Sequence, residues 1–376
     1  MSVKSVLKRE GIENAKKVDT LTINKIAKRI AAKLSETFSN HNLTENDLFI
    51  ELSRLPMYTA DMPNDLSGAK FMFMNNSVYF KRGVEFDTIE EFATHECLHY
   101  LQQQTDARGN VLSLGLYHFS DGGNKGMAIN EGAVQLMAAK ANKCEPDKVK
   151  YYEISLETIS PNYYPLECAL LKEISYFTGE YALEHSTLYG DKIFEEAVEA
   201  RFGKKSYKII RDAFDILMRR EEELNILTNE LQETNEKSKA EKISKQIDKS
   251  KEGIADLFLK IQNYVIQNGF ETSFKAVKNL DELQDFKNKL YGFKDLIGTT
   301  ENYSFYNDYY VKTMTEFERK KEYIEQYGEI VDGNIDKPRL DIALVEEKPS
   351  IFKRILMKLG ILSKPQTETE YTDSKE

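Results

Sequence analysis

Residues 87–104 read Asp87-Thr-Ile-Glu-Glu-Phe-Ala-Thr-His-Glu-Cys-Leu-His-Tyr-Leu-Gln-Gln-Gln104, and the whole chain is read outward from them. Asp87 with Glu90 three residues on has the form of a capping box, which predicts a helix running through His95 and His99 to about Gln104. Residues 95–99 match His-Glu-x-x-His. Side chains four apart lie on one helical face, one turn above each other. Two imidazoles so placed can converge on one ion at the roughly 2.0–2.1 Å of a Zn–N bond. Glu96 borders that face without being forced to ligate, and can accept a proton from water that a catalytic zinc activates. The plainer alternative is that both histidines decorate a solvated helix. With 5 His in 376 residues, chance supplies on the order of 0.01 such motifs.

Working outward, Lys70–Met74 and Ser77–Lys81 are β-rich runs around Asn75-Asn76. Asn tolerates positive φ, so a hairpin with a tight two-residue turn is predicted. Ile23, Ile26, Ala27, Ile30 and Leu34 recur at helical spacing within a predicted helix Thr22–Phe38, and Leu48–Leu52 reads as a short strand. After the motif helix comes a polar, glycine-rich segment. Helices are then predicted at Ala128–Ala141, Leu166–Phe177 and Asp191–Arg201, the last stopped by Gly203.

A catalytic zinc normally takes three protein ligands and a water. Three residues downstream are candidates for the third: Glu131, early in the helix that begins at Ala128; His118, in Leu116-Tyr-His-Phe119; and Asp121. Glu131, 32 residues beyond His99, ranks first, and Gly132 beside it lets a second backbone or a substrate approach closely.

A His-Glu-x-x-His helix followed by a helix carrying Asn130-Glu131-Gly132-Ala133 resembles the gluzincin branch of the zincin metallopeptidases, over roughly residues 45–200. The resemblance implies zinc held by His95, His99 and Glu131, one ion per chain, with Glu96 as general base. It also implies an edge strand above the motif helix along which an extended peptide pairs, and the hairpin at residues 70–81 suits that role. Gluzincins commonly supply a Tyr or His donor to the oxyanion. Tyr163 and Tyr164, in the loop Ser160–Pro165, are the candidates, ahead of Tyr151 and Tyr152. Cys97 reads as a small buried hydrophobe.

The composition excludes several classes. Hydrophobic residues are 41%, charged residues 30%, and 21 Tyr with 20 Phe are present, too apolar for wholesale disorder. The net charge of −10 argues against nucleic-acid binding. Three cysteines make no disulfide framework, and no secretory or bilayer-spanning apolar run is read, so a cytoplasmic protein is expected.

The composition changes after about Ser206. Residues 206–268 hold no proline and one glycine, which predicts an antiparallel helical hairpin with a solvated tip near residues 235–240, followed by more helix to about Gln326. The expected layout is therefore mainly helical α+β. Residues 1–205 form a zincin-like domain with a small β-sheet, and 206–330 an appended helical domain. Residues 331–376 form a linker, a basic amphipathic segment at Ile351–Leu362 and a polar tail. That segment could bind a membrane surface or a protein partner, or dock back on its own chain. The expected activity is zinc-dependent hydrolysis of a peptide or protein substrate. The rival expectation is a non-catalytic zincin-fold scaffold acting through its long C-terminal helices.

Overall fold

The structure, a computed structural model, describes residues 3–63, 68–86, 90–119, 125–297 and 304–330. Asp87, Asp121, residues 331–350 and the segment Ile351–Leu362 lie outside them. The architecture is mainly helical with small sheets.

Helix α1 (Val3–Arg9) and strand β1 (Glu13–Lys17) precede α2 (Thr20–Thr37). Asp19 caps α2 by accepting from the Thr22 amide at 3.0 Å. Its buried stripe is Ile23, Ile26, Ala27, Ile30, Ala31 and Leu34. The strand expected at Leu48–Leu52 is instead the centre of a helix, α3 (Glu45–Arg54). Thr44 caps it by accepting from the Asp47 amide at 3.2 Å, and Leu48 and Leu52, one turn apart, are its buried residues. The cap and the i, i+4 burial against α2 outweigh the β-propensity of Phe49 and Ile50. The strand of this region, β2 (Met57–Asp61), begins just after Pro56.

Strands β3 (Ala69–Met72) and β4 (Ser77–Lys81) form the expected hairpin. Met72 pairs with Ser77, so the turn holds four residues, Phe73–Asn76, and not two. Only Asn76 among them takes positive φ, at 47°, whereas the two-residue turn needs it at one or both central positions of a shorter loop. The sheet order is β1-β2-β4-β3, with β2 and β4 parallel and the other pairs antiparallel. Alternation sorts β4 between two faces. Val78 and Phe80 join the main core with α2 residues, while Tyr79 packs with Val6, Ile12, Ala60 and Met72 on the other side. Among the described residues, β3 is an edge strand.

Helix α4 (Glu90–Leu101) carries the motif and packs on β3 and α2. The glycine-rich segment after it is not featureless: β5 (Gln103–Thr105), β6 (Val111–Leu114) and β7 (Tyr117–His118) form an antiparallel sheet. Helix α5 (Met127–Ala141) is buried almost all round, as a central helix must be. A second hairpin, β8 (Asp147–Tyr151) with β9 (Ile154–Thr158), leads into α6 (Pro165–Thr178), α7 (Glu180–Tyr189) and α8 (Ile193–Phe202).

The long hairpin is α9 (Ser206–Glu233) with α10 (Lys237–Ala276), turning at residues 234–236, and α11 (Leu280–Ile297) and α12 (Ser304–Tyr327) follow. Contacts cross the boundary expected near residue 205. Helix α9 packs on α5 and α8, and α10 on α6 and α8. Asp215 of α9 caps the N-terminus of α5, accepting from the Gly126 amide at 2.8 Å and the Ala128 amide at 3.1 Å. The described residues accordingly belong to one compact unit. Among them, no helix is long and apolar enough to cross a membrane.

Candidate metal centre

Helix α4 presents His95 and His99 on the face that meets α5, and α5 presents Glu131 to them. The two Nε2 atoms lie 3.0 Å apart. Each is 3.3 Å from Glu131 Oε2. All three side chains are largely withdrawn from solvent, and they form the group among the described residues whose donor atoms could hold a metal ion. Two imidazole nitrogens and a carboxylate oxygen converging at this spacing fit a divalent ion of the first transition row.

The electrostatics follow from the packing. Burial pushes the Glu131 carboxyl up, but the facing imidazoles of His99 and His95 outweigh it and hold the group well below the carboxylate range. Burial pushes His95 down, yet its contact with Glu131 and the charge of Glu96 raise it on balance. A negative pocket holding two imidazoles is prepared for a cation.

The Asn130-Glu131-Gly132 run divides three tasks. Asn130 Oδ1 accepts from the Leu116 amide at 3.0 Å, pinning the β6–β7 turn onto α5. Glu131 faces the histidines. Gly132 lets α6 lie close, since a Cβ there would sit 2.8 Å from Glu167 Cβ and 3.0 Å from Leu171 Cδ1. Glu167, wholly buried on α6, faces a second carboxyl, Glu221 of α9. Neither carboxyl oxygen of Glu167 meets a hydrogen-bond donor among the described residues. Burial raises both carboxyls, and the charge of Glu167 raises Glu221 further.

Glu96 is buried beside the histidines, and its Oε2 accepts from the Phe71 amide of β3 at 2.5 Å. The motif helix is thereby tied to strand β3. Tyr164 stacks on His95, with ring centroids 6.2 Å apart and planes at 16°. It takes φ 49° at the N-terminus of α6, a costly conformation for a bulky residue that is often found at functional positions. The charge of Glu131, burial, and the charge of Glu96 all raise its phenol, so it stays a donor at neutral pH. Tyr163 points elsewhere, edge-on to Phe92 at 5.1 Å. Tyr151 and Tyr152 belong to the β8–β9 hairpin, and Tyr152 faces Glu221.

His118 stands exposed on β7, its amide donating to the Lys125 carbonyl, and is not part of the three-residue group. Cys97 is buried in the main core. Glu131→Ala is therefore expected to weaken divalent-metal binding by more than the roughly 10–100-fold typical of removing an outer partner. His118→Ala should leave affinity unchanged. Titration with a chromophoric chelator measures both, and the reverse order would transfer the third position to His118.

Three side chains outside the motif complete the site. Gln135, one turn beyond Glu131, places Oε1 2.8 Å from His95 Nδ1 and donates Nε2 to Glu91 Oε1 at 2.7 Å. Gln102, three residues beyond His99, has its amide 2.7 Å from His99 Nδ1. Their spacings of four and three from ligands were available signals, because such neighbours share a helical face. No family model, curated protein or solved structure matches this chain.

Proposed function

We propose that this chain is a zinc-dependent metallopeptidase with a zincin-like arrangement of its N-terminal half. The observation that carries the reading is the meeting of His95, His99 and Glu131 at one point, with Glu96 adjoining both that point and strand β3. An ion held there supplies Lewis acidity, lowering the pKa of water toward 7 and polarising a carbonyl. Two imidazoles and a carboxylate favour zinc.

The chain's own residues supply the rest. Glu96 accepts a proton from the attacking water and delivers it to the leaving amine. Tyr164 donates its phenol hydrogen to the oxygen that gains charge at the carbonyl. The substrate is a polypeptide lying extended along β3, where strand addition brings a peptide bond past Glu96. Tyr163, packed on Phe92, is not needed in this scheme.

Hydrolysis of a peptide library by the purified chain should stop on chelation and return on adding zinc. Tight zinc binding with no cleavage of any library member would favour a metal-stabilised scaffold instead.

A further inference from the structure

A histidine nitrogen can bind a metal only through its lone pair, so each ring must carry its proton on the other nitrogen. Nothing in His-Glu-x-x-His dictates which nitrogen that is. The surrounding amides do.

At His95 the chain of contacts leaves one assignment. A carboxylate only accepts, so the amide nitrogen of Gln135 must face Glu91, as its 2.7 Å contact has it. The amide oxygen then faces His95 Nδ1 at 2.8 Å, and Nδ1 must donate. The lone pair is left on Nε2, the atom that faces His99 and Glu131.

At His99 the neighbours of Gln102 decide. Gly115, at φ 51°, leaves a gap on which three oxygens converge. A Cβ there would lie 2.4 Å from the Thr187 carbonyl, 2.5 Å from Gln102 Oε1 and 2.7 Å from Asn130 Oδ1. Asn130 Oδ1 already accepts from Leu116, and no donor among the described residues reaches Gln102 Oε1. The two ends of an amide are alike in size, and hydrogen bonding decides their placing. With the Gln102 amide turned over, its NH2 points among those oxygens and its oxygen takes the proton of His99 Nδ1. The same lone pair is freed.

We propose that Gln135, oriented by Glu91, and Gln102 are positioning residues that hold both ring protons on Nδ1 and aim both Nε2 lone pairs, with Glu131, at one ion. This rests on the reading of those three side chains as metal ligands. It extends the site to Glu91, Gln102 and Gln135, and it makes Gly115 the residue that gives Gln102 its room.

The test uses the full chain loaded with zinc. Nitrogen-15 NMR of labelled histidine should show both rings bound through Nε2, each with a slowly exchanging proton on Nδ1. Gln135→Met and Gln102→Met, which keep size and remove the acceptor, should each lower zinc affinity about 10–100-fold and broaden only the matching ring proton. Glu91→Gln combined with Gln135→Glu exchanges donor and acceptor along the same path and should recover most of the lost affinity. A merely structural role would not produce that recovery. Binding of either ring through Nδ1 in the unaltered chain overturns the proposal, even if a variant fails to fold. So do methionine variants that bind zinc like wild type. Failure of the unaltered chain to bind any divalent ion would overturn both this proposal and the metal centre. Metal binding without peptide cleavage would overturn only the peptidase.

Discussion

Glu96→Gln is expected to bind zinc like the unaltered chain and to lose about 100- to 10,000-fold in kcat/KM for peptide hydrolysis, the usual contribution of a general base. The substitution is close to a pure removal of basicity. Glutamine is isosteric, and its amide oxygen can keep accepting from the Phe71 amide, which Glu96 now holds at 2.5 Å. The tie between α4 and β3 survives, and His95, His99 and Glu131 are untouched. Metal content and hydrolysis measured on one preparation separate the two roles. Cleavage at the wild-type rate would remove Glu96 from the mechanism. Loss of metal together with activity would make it a structural residue of the site.

Glu173→Gln is expected to stabilise the protein, increasingly so as pH rises to about 8. Glu173 lies on α6 at 3% exposure, against the long helix α10. Its Oε1 accepts from Gln262 Nε2 at 2.7 Å, while Glu173 Oε2 and Gln262 Oε1 are both buried without partners among the described residues. Burial pushes the carboxyl from its ordinary 4.5 up to about 8, against the smaller opposing pulls of Gln262 and Lys172. A carboxyl raised in the folded state binds a proton there that the unfolded chain has already released. Stability therefore falls as pH rises from 4.5 to about 8 and is flat beyond. At about 1.4 kcal/mol per pH unit, the loss approaches about 4–5 kcal/mol. In the variant, two amides can satisfy each other's donors and acceptors, and this dependence disappears. Urea midpoints of both proteins between pH 5 and 9 measure the difference. A variant less stable than wild type at pH 8 would show that the ionised carboxylate is stabilised by something other than Gln262.

Helix α6, which carries Glu173, also reaches the candidate site. The N-terminal end of that helix brings Tyr164 over His95 and Glu167 under Gly132. Its middle carries Glu173 to α10. The long helices thus support the wall of the candidate site directly, as the capping of α5 by Asp215 also does.

What the sequence by itself determined is what rests on local periodicity and on residue type. The helices carrying His95 and Glu131, the stripe of α2 and the α9–α10 hairpin are legible because residue type and spacing act within a few residues. The His/Glu/His frame is legible because four residues make one helical turn. The remaining features depend on neighbours distant in sequence. Helix α3 reads as a strand until α2 is there to bury Leu48 and Leu52. The β8–β9 hairpin turns on Tyr152 and Glu153 at φ 49° and 67°, with no Gly or Asn to announce it, and the N-terminus of α5 is capped by an aspartate of α9 89 residues from Gly126. Composition marked a change near residue 206, where packing runs straight across. Tertiary structure brings Glu131, which the sequence ranks ahead of His118, to the two histidines. It also separated Tyr164 from Tyr163, adjacent and chemically identical, because the positive φ of one aims its ring at His95 while the other packs on Phe92. Periodicity names which residues share a face. Which faces meet is settled by burial across the whole chain.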